Sequence, residues 1–406
     1  MKQEFDVVIV GGGMTGASLA LLLKPAIEQG LKVALVEGHA ISTHDMTQPS
    51  FDDRTTALSF GTQQIFEKMG VWCNMAGQAC AIEHIQVSQQ QQFGRIRLHA
   101  QDNHVCAMGY VLENRIMGQQ LLGALSNVSA LRVFAPAQVT TYQVDEKGAK
   151  LQLRQADESI ELQAKLLVLA DGANSEGCRQ LGIVQTRHDY QQDAVVCNVS
   201  FDKPHNNWAY ERFTTKGPMA LLPMTGNRFA LVWCMSREQS QDYSNMGDEA
   251  FTHILQSALG HNLGRLNRVG KRASYPLSLV VAKEQVRSSV VVLGNAAHAL
   301  HPVAGQGFNL ALRDAQALAN HISTHWPAQS LGNIAGLMDY LAGQSNDQKT
   351  TIGLSHVLPT TFTHTGFTWS LVRALGMTAM DVTPLAKKLF TRQAMGLVGS
   401  ADVWQP

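Results

Sequence analysis

The segment FDVVIVGGGMTGASLALLL, from Phe5 to Leu23, constrains this 406-residue chain more than any other. Phe5–Val10 is a short β-branched run, the pattern of a parallel strand buried on both faces, and Ala17–Leu23 continues as a helix. Between them Gly11, Gly13 and Gly16 fit G-x-G-x-x-G, with Gly12, Met14 and Thr15 completing the loop. A second buried run, LKVALVE, ends on Glu37, about twenty residues after the glycines, where a ribose-binding acid is expected. The glycines permit a tight turn, close approach to a pyrophosphate and close helix–strand packing, and the helix N-terminus then faces the phosphates. A carboxylate at Glu37 suits free ribose hydroxyls and would repel a 2′-phosphate. The combination predicts a Rossmann-like dinucleotide-binding domain in an α/β protein. By itself it does not distinguish NAD from FAD.

Two later segments bear on that choice. LLVLADGANS (Leu166–Ser175) is another buried strand, ending in Asp171-Gly172, which taken alone is an ordinary turn. Val290–Leu293 leads into GNAAHALHPVAGQGFNLALRD, which leaves a strand through Gly294-Asn295, passes His298, His301 and Pro302, and spends Gly305 and Gly307 before a helix containing Asn309 and Asp314. Glycines so placed let backbone come close to something that is not protein. An NAD domain is normally completed within one continuous half of a chain, whereas these pieces lie almost 300 residues apart. A long dinucleotide with a second, buried end needs that reach.

Composition narrows the partners. Lys plus Arg and Asp plus Glu both number 32, so no global electrostatic argument for nucleic acid survives. Hydrophobic residues make up 45%, enough for a sizeable core. The six cysteines (Cys73, Cys80, Cys106, Cys178, Cys197, Cys234) show no C-x-x-C pair and no zinc-like spacing, which predicts reduced thiols, no metal and a cytoplasmic protein. The apolar run after MKQEFD is too short for export or for spanning a bilayer, and no other segment offers the roughly 18 uninterrupted apolar residues required.

Three motifs in order, G-x-G-x-x-G with Glu37, the Asp171-Gly172 segment, and Gly294-Asn295-Ala296-Ala297-His298 through Pro302, make the chain resemble the class A FAD-dependent aromatic hydroxylases, the para-hydroxybenzoate hydroxylase group. FDDRTTALS (51–59), RHDYQQDAVVCNV (187–199), RFTTKGPMALLPM (212–224), HPVAGQGFNLALRDA and RQAMGL are similar to the ubiquinone-biosynthesis branch in particular, so the resemblance covers essentially the whole chain. It implies FAD as cofactor, NAD(P)H as a transient reductant, and O₂-dependent hydroxylation of a polyprenylated phenol of the 2-polyprenyl-6-methoxyphenol type. It implies that Gly11, Gly12, Gly13, Met14, Thr15 and Gly16 cradle the FAD pyrophosphate, with Glu37 on the ribose. Arg54 matches the arginine along the flavin, Asn114 an amide beside the cofactor, and Asp171-Gly172 a segment linked to FAD and nicotinamide contacts. Pro302, Gly305, Gln306, Gly307 and Asn309 match the loop under the isoalloxazine. Most of the wider family carries Asp after Gly294, where this chain has Asn295; an amide still accepts a hydrogen bond and adds donors near phosphate.

The remaining residues fit an FAD-binding domain in three pieces (1–75, 101–185, 285–345), a β-sheet substrate domain in two (76–100, 186–284) and a C-terminal helical region (346–406). Strand-like runs DAVVCNVSF, NWAYERFT, MALLPM and RFALVWCMS fill the substrate domain, the last two flanking a hairpin turn at Thr225-Gly226-Asn227. SQQQQF (88–93) reads as a polar loop or strand edge. FTWSLVRALGMTAMDVTPLAKKLFTRQAMG is rich in Leu, Met and Phe, a core pattern or, on a sharper reading, a surface for lipid or a partner. Catalytic side chains are few: His298 reads as a packing or cap residue, and His301 as the one candidate near substrate. The absence of a nucleophile–base motif agrees with a cofactor that carries the chemistry. A flavin reductase or dehydrogenase of the same fold, and a non-catalytic member of a quinone-synthesis assembly, remain open alternatives. So does peripheral association with the inner membrane and with other ubiquinone-biosynthesis proteins.

Overall fold

Val7 and Ile9 point to one side of the strand Lys2–Val10, Val8 and Val10 to the other, and all four are buried. A strand wrapped in protein on both faces must be apolar at every position. Its neighbours split the same way: Leu166 and Val168 against Leu167 and Leu169, Val33 and Leu35 against Ala34 and Val36. Full burial of each such side chain contributes about 1.5–3 kcal/mol. The computed structural model describes residues 2–41, 52, 54–90, 95–145, 148–302, 305–327, 330–363 and 383–397.

The first core lies between this sheet and the helices Met14–Leu22, Asn114–Ser126 and Gln306–His325, which contribute Leu19, Leu121 and Leu312. The second is closed by the antiparallel strands Gln138–Asp145 and Gly148–Gln155, which supply Tyr142, Leu151 and Leu153. The sheet's main path runs Val286–Arg287, Val290–Val292, Glu158–Leu169, Lys2–Val10, Val33–Val36, Arg132–Phe134. From Val290 to Phe134 the neighbours are parallel, and Val10 pairs with Leu169, which pairs with Val292. Three loops therefore leave the carboxyl edge at one level.

A second sheet of nine strands is ordered His298–Ala299, Ala273–Ala282, Gln185–Phe201, Arg228–Ser236, Pro218–Met224, Trp208–Phe213, His84–Gln89, Arg95–His99, with Leu266–Val269 added off the path. Strand alternation gives it two different faces. Val195, Val199, Leu231 and Trp233 pack beneath the helices Arg237–Asn245 and Asp248–Leu259, against Tyr243, Phe251 and Leu255. The opposite face turns toward the first domain. The hairpin at Thr225-Gly226-Asn227 forms where expected, with Gly226 and Asn227 at φ of 72° and 54°. A three-stranded sheet, Thr55–Ser59, Gly109–Glu113 and Cys80–Ile82, bridges the two large ones.

The helix Ile334–Thr363 runs unbroken across 345/346, where the sequence places a division. Residues 364–382, which hold most of the Leu/Met/Phe-rich segment, lie outside the described residues, as do Phe51, Asp53, 91–94 and 303–304 of the other quoted segments. Among the described residues no helix is long and apolar enough to cross a membrane.

Candidate FAD and substrate site

The carboxyl ends of the parallel strands build the first half of the site. Gly11 sits at φ 105°, and a Cβ there would fall 2.3 Å from the Ala170 carbonyl oxygen. A Cβ on Gly16 would lie 1.8 Å from Gly11 O, so only glycine lets this helix start against the strand it follows. Gly13 caps Met14–Leu22, and no side chain occupies the cap, which leaves the first N–H groups of the helix open to an anion. Glu37 is nearly buried at the end of the next strand, where Oε2 accepts from Gly12 N at 2.7 Å and Oε1 from His39 N at 2.8 Å.

The two distant segments arrive beside this loop. Leu293 N donates to Leu169 O and Ala170 N to Val10 O, both at 2.8 Å, so the strand ends are zipped together. Gly294, at φ 64°, presses against Thr15: a Cβ would come 2.9 Å from Thr15 Oγ1. Asn295 follows and is exposed. Asp171 accepts from Gly177 N at 3.1 Å through Oδ2, while Oδ1 is buried with no hydrogen-bond partner, and burial raises its pKa. Gly172, at φ 88°, has open space where a side chain would be. A glycine cradle, an uncapped helix N-terminus, a ribose-type acid and the open Gly172 within one crevice fit a dinucleotide pyrophosphate and its ribose.

The second half lies under Gln306–His325. Gly305 caps that helix in the left-handed region at φ 59° and closes a turn by donating from N to Pro302 O at 2.9 Å. Asn309, 1% exposed, spends its whole amide on protein. Nδ2 donates to Ala57 O at 2.8 Å and Gly305 O at 2.7 Å, and Oδ1 accepts from Ser59 N at 2.8 Å and Thr62 Oγ1 at 2.7 Å. It rivets the glycine turn to the strand Thr55–Ser59 and has no valence left for a ligand. Asn114 makes two such contacts: Oδ1 accepts from Thr56 Oγ1 at 2.6 Å and Nδ2 donates to Asp52 Oδ1 at 3.4 Å. Asp52 in turn holds Arg54, its Oδ2 2.6 Å from Nε, while the guanidinium lies 4.7 Å over the Tyr275 ring.

Between this loop and the second sheet is a cavity of about 540 Å³, within the roughly 300–1,000 Å³ of small-molecule sites. The strand Thr55–Ser59, the residues Pro302, Gly305, Gln306, Gly307 and Asn309, and sheet residues such as Ile85, Leu98, Leu222 and Val232 form its walls, with Phe390 and Ala394 from the helix Pro384–Ala394. A Cβ on Gly307 would meet nothing within 4 Å, so that position opens onto space.

The histidines divide their roles. His298 is fully buried with Nε2 2.7 Å from Asp314 Oδ2, and Gln348 Nε2 donates to the same oxygen at 3.0 Å. It packs the core, as the sequence suggests, with a partner the sequence does not indicate. His301 lines the cavity, 1% exposed, its ring edge-on to Tyr190 at 5.0 Å, and burial pushes its pKa down to about 4. It is therefore neutral near pH 7. Tyr275 and Glu211 escape a motif-based reading, and Tyr190 stands unmarked within the quoted 187–199 segment; for Glu211 the one available signal is alternation, since Ala209 and Phe213 share its strand face.

Comparison with known proteins places this architecture. Residues 4–329 match the family model for the FAD binding domain. The chain is 33% identical over 396 residues to the ubiquinone hydroxylase UbiL of Rhodospirillum rubrum, covering 96% of this chain and 89% of that one. It is 26% identical over 405 residues to the 3-demethoxyubiquinol 3-hydroxylase of Escherichia coli, covering 98% and 100%. In fold it is similar to p-nitrophenol 4-monooxygenase PnpA from Pseudomonas putida, with a TM-score of 0.78 at 15% identity over 98% of this chain and all of that one. With its glycine cradle, Glu37 and late glycine turn joined in one crevice, the chain belongs to the FAD-binding family of class A aromatic hydroxylases, in the branch that holds these ubiquinone-biosynthesis enzymes.

Proposed function

We propose that the protein hydroxylates the aromatic ring of a polyprenylated phenol in ubiquinone biosynthesis, with NAD(P)H as transient reductant and O₂ as oxidant. The observation that carries this reading is the cavity. Its walls are overwhelmingly apolar, it is large enough for a substituted ring with part of a tail, and its floor is formed by Pro302 and Gly305–Asn309, where the family resemblance puts the flavin. The name of the Escherichia coli relative gives a demethoxyubiquinol, a phenolic ring, as its substrate, and that of UbiL gives a hydroxylation in the ubiquinone series.

The residues take the following parts in this reading. Gly11, Gly12, Gly13, Met14, Thr15 and Gly16 hold the pyrophosphate at the open helix N-terminus, and Glu37 accepts from the ribose hydroxyls. Arg54, Asp171, Gly172, Gly294 and Asn295 line the middle of the cofactor, and Pro302, Gly305, Gln306 and Gly307 meet its ring. Asn114 and Asn309 hold those groups in place from behind. FAD, when bound, supplies the electron transfer and oxygen activation. The chain orients the phenol ring and keeps water out through its apolar walls. His301, uncharged, borders the ring pocket without adding a cation to it. The prenyl tail brings the protein to the inner membrane as a peripheral visitor.

The test is FAD-reconstituted protein given NAD(P)H and 2-methoxyphenols of increasing prenyl length, with O₂ uptake followed and the product analysed by mass spectrometry. One added oxygen, with efficiency rising with tail length, is expected, because remote binding energy orients the ring. Peroxide release without product from every phenol would overturn the hydroxylase reading. Equal efficiency for the tail-less phenol would overturn the lipid part of it.

A further inference from the structure

Among the described residues, the cavity wall carries two ionisable side chains, His301 and Glu211. Glu211 lies on the strand Trp208–Phe213 with Val87 beside it on one neighbouring strand and Ala220 on the other, and Val232 one strand further. All three of those neighbours are apolar and face the same cavity. A carboxylate set into such a row is costly to desolvate. Its two oxygens offer about four acceptor sites, so a contact within the protein leaves acceptor capacity for a ligand.

The other polar groups in the wall are already engaged in part, and none of them carries a carboxylate. Asn309 is saturated, Thr56 Oγ1 donates to Asn114, Ser59 Oγ to Thr62, and Gln306 Nε2 to Ala394 O. His301 is neutral and packed on Tyr190. An ionised carboxylate accepts hydrogen bonds and cannot donate, so the ligand group it selects is a donor. On a ligand whose body suits apolar walls, the donor is a ring hydroxyl.

We propose that Glu211 accepts a hydrogen bond from the hydroxyl of the aromatic substrate and thereby sets which ring carbon faces the Gly305–Gly307 turn. This rests on the hydroxylase reading above. The interaction is a hydrogen bond without proton transfer, and it makes Glu211 a specificity-determining residue.

The experiment compares binding of a short-chain prenylated 2-methoxyphenol with that of its O-methyl ether, which lacks the donor, to FAD-loaded wild type, Glu211→Gln and Glu211→Leu. Binding is read from the perturbation of flavin absorption, and the position of hydroxylation from the product. Wild type is expected to hold the phenol at least about tenfold more tightly than the ether, the scale of one hydrogen bond to a charged group. Glu211→Leu should bind both alike and scatter the position of hydroxylation. Glu211→Gln, which keeps an acceptor oxygen without the charge, should recover part of the preference, and its near-identical shape guards against loss of fold. Retention of the full preference in Glu211→Leu would overturn the proposal. So would a wild type that hydroxylates phenol while binding phenol and ether equally, with the hydroxylase reading left standing. Wild type that holds FAD but binds neither aromatic would overturn both.

Discussion

Asn309→Leu is the sharpest perturbation the structure offers, because it keeps the volume and removes every polar contact at a side chain 1% exposed. Four hydrogen bonds disappear, to Ala57 O, Gly305 O, Ser59 N and Thr62 Oγ1. At about 0.5–1.5 kcal/mol net for each, the sum is about 2–6 kcal/mol. Thr62 Oγ1 still accepts from Ser59 Oγ at 3.2 Å, while its own hydroxyl proton loses the acceptor that Asn309 provides. A loss of about 3 kcal/mol is expected, a large part of the roughly 5–15 kcal/mol that holds a protein folded. Because Asn309 pins Gly305 to Ala57 across the chain, FAD affinity should fall at least about tenfold in the same variant, though the side chain itself reaches no ligand. Urea unfolding of the apoprotein measures the first effect and quenching of flavin fluorescence the second. An Asn309→Leu variant within about 0.5 kcal/mol of wild type, with unchanged FAD affinity, would refute the rivet role.

Three further outcomes are expected. His301 has a folded pKa near 4, below the unfolded value of about 6.5, so the unfolded chain binds the extra proton first. The stabilisation, on the order of 3 kcal/mol, is complete above pH 6.5 and is lost as pH falls toward 4, and His301→Phe should flatten stability across that window in acid titrations followed by circular dichroism. Asn295 is exposed, so Asn295→Leu should leave the unfolding midpoint within about 0.5 kcal/mol while weakening FAD binding, and Asn295→Asp should move affinity by about 1 kcal/mol; wild-type affinity in Asn295→Leu would remove Asn295 from the cofactor site. Gly16→Ala places a methyl 1.8 Å from Gly11 O, backbone that cannot yield without moving the helix, so purified protein should show no flavin absorption bands, and retained bands would contradict the packing described.

The dinucleotide domain was legible because its determinants are local. A β-branched run, three glycines at fixed spacing and an acid at the end of the next strand encode a strand, a turn and a helix within about thirty residues. The late segment was legible for the same reason: Gly294 and Gly305 stand where backbone at positive φ is needed, and the sequence shows glycine there. Family likeness carried the cofactor and the reaction class further than periodicity alone does.

Hydrogen-bond partners were not legible. Asn114 and Asn309 suggest cofactor ligands in sequence, yet their amides face Asp52, Thr56, Ala57 and Ser59, chosen by contacts spanning up to 252 residues. An amide's type fixes what it is able to bond, while its neighbours in space fix what it does bond. The same holds for His298 against Asp314, and for Glu211, whose placement in an apolar wall follows from which face of the second sheet closes on the first. Sequence alone determined the strand–glycine–helix units and the ribose acid, because spacing along the chain encodes them. Only tertiary structure decided which polar groups are spent on the scaffold and which face the cavity, because that depends on packing between segments hundreds of residues apart.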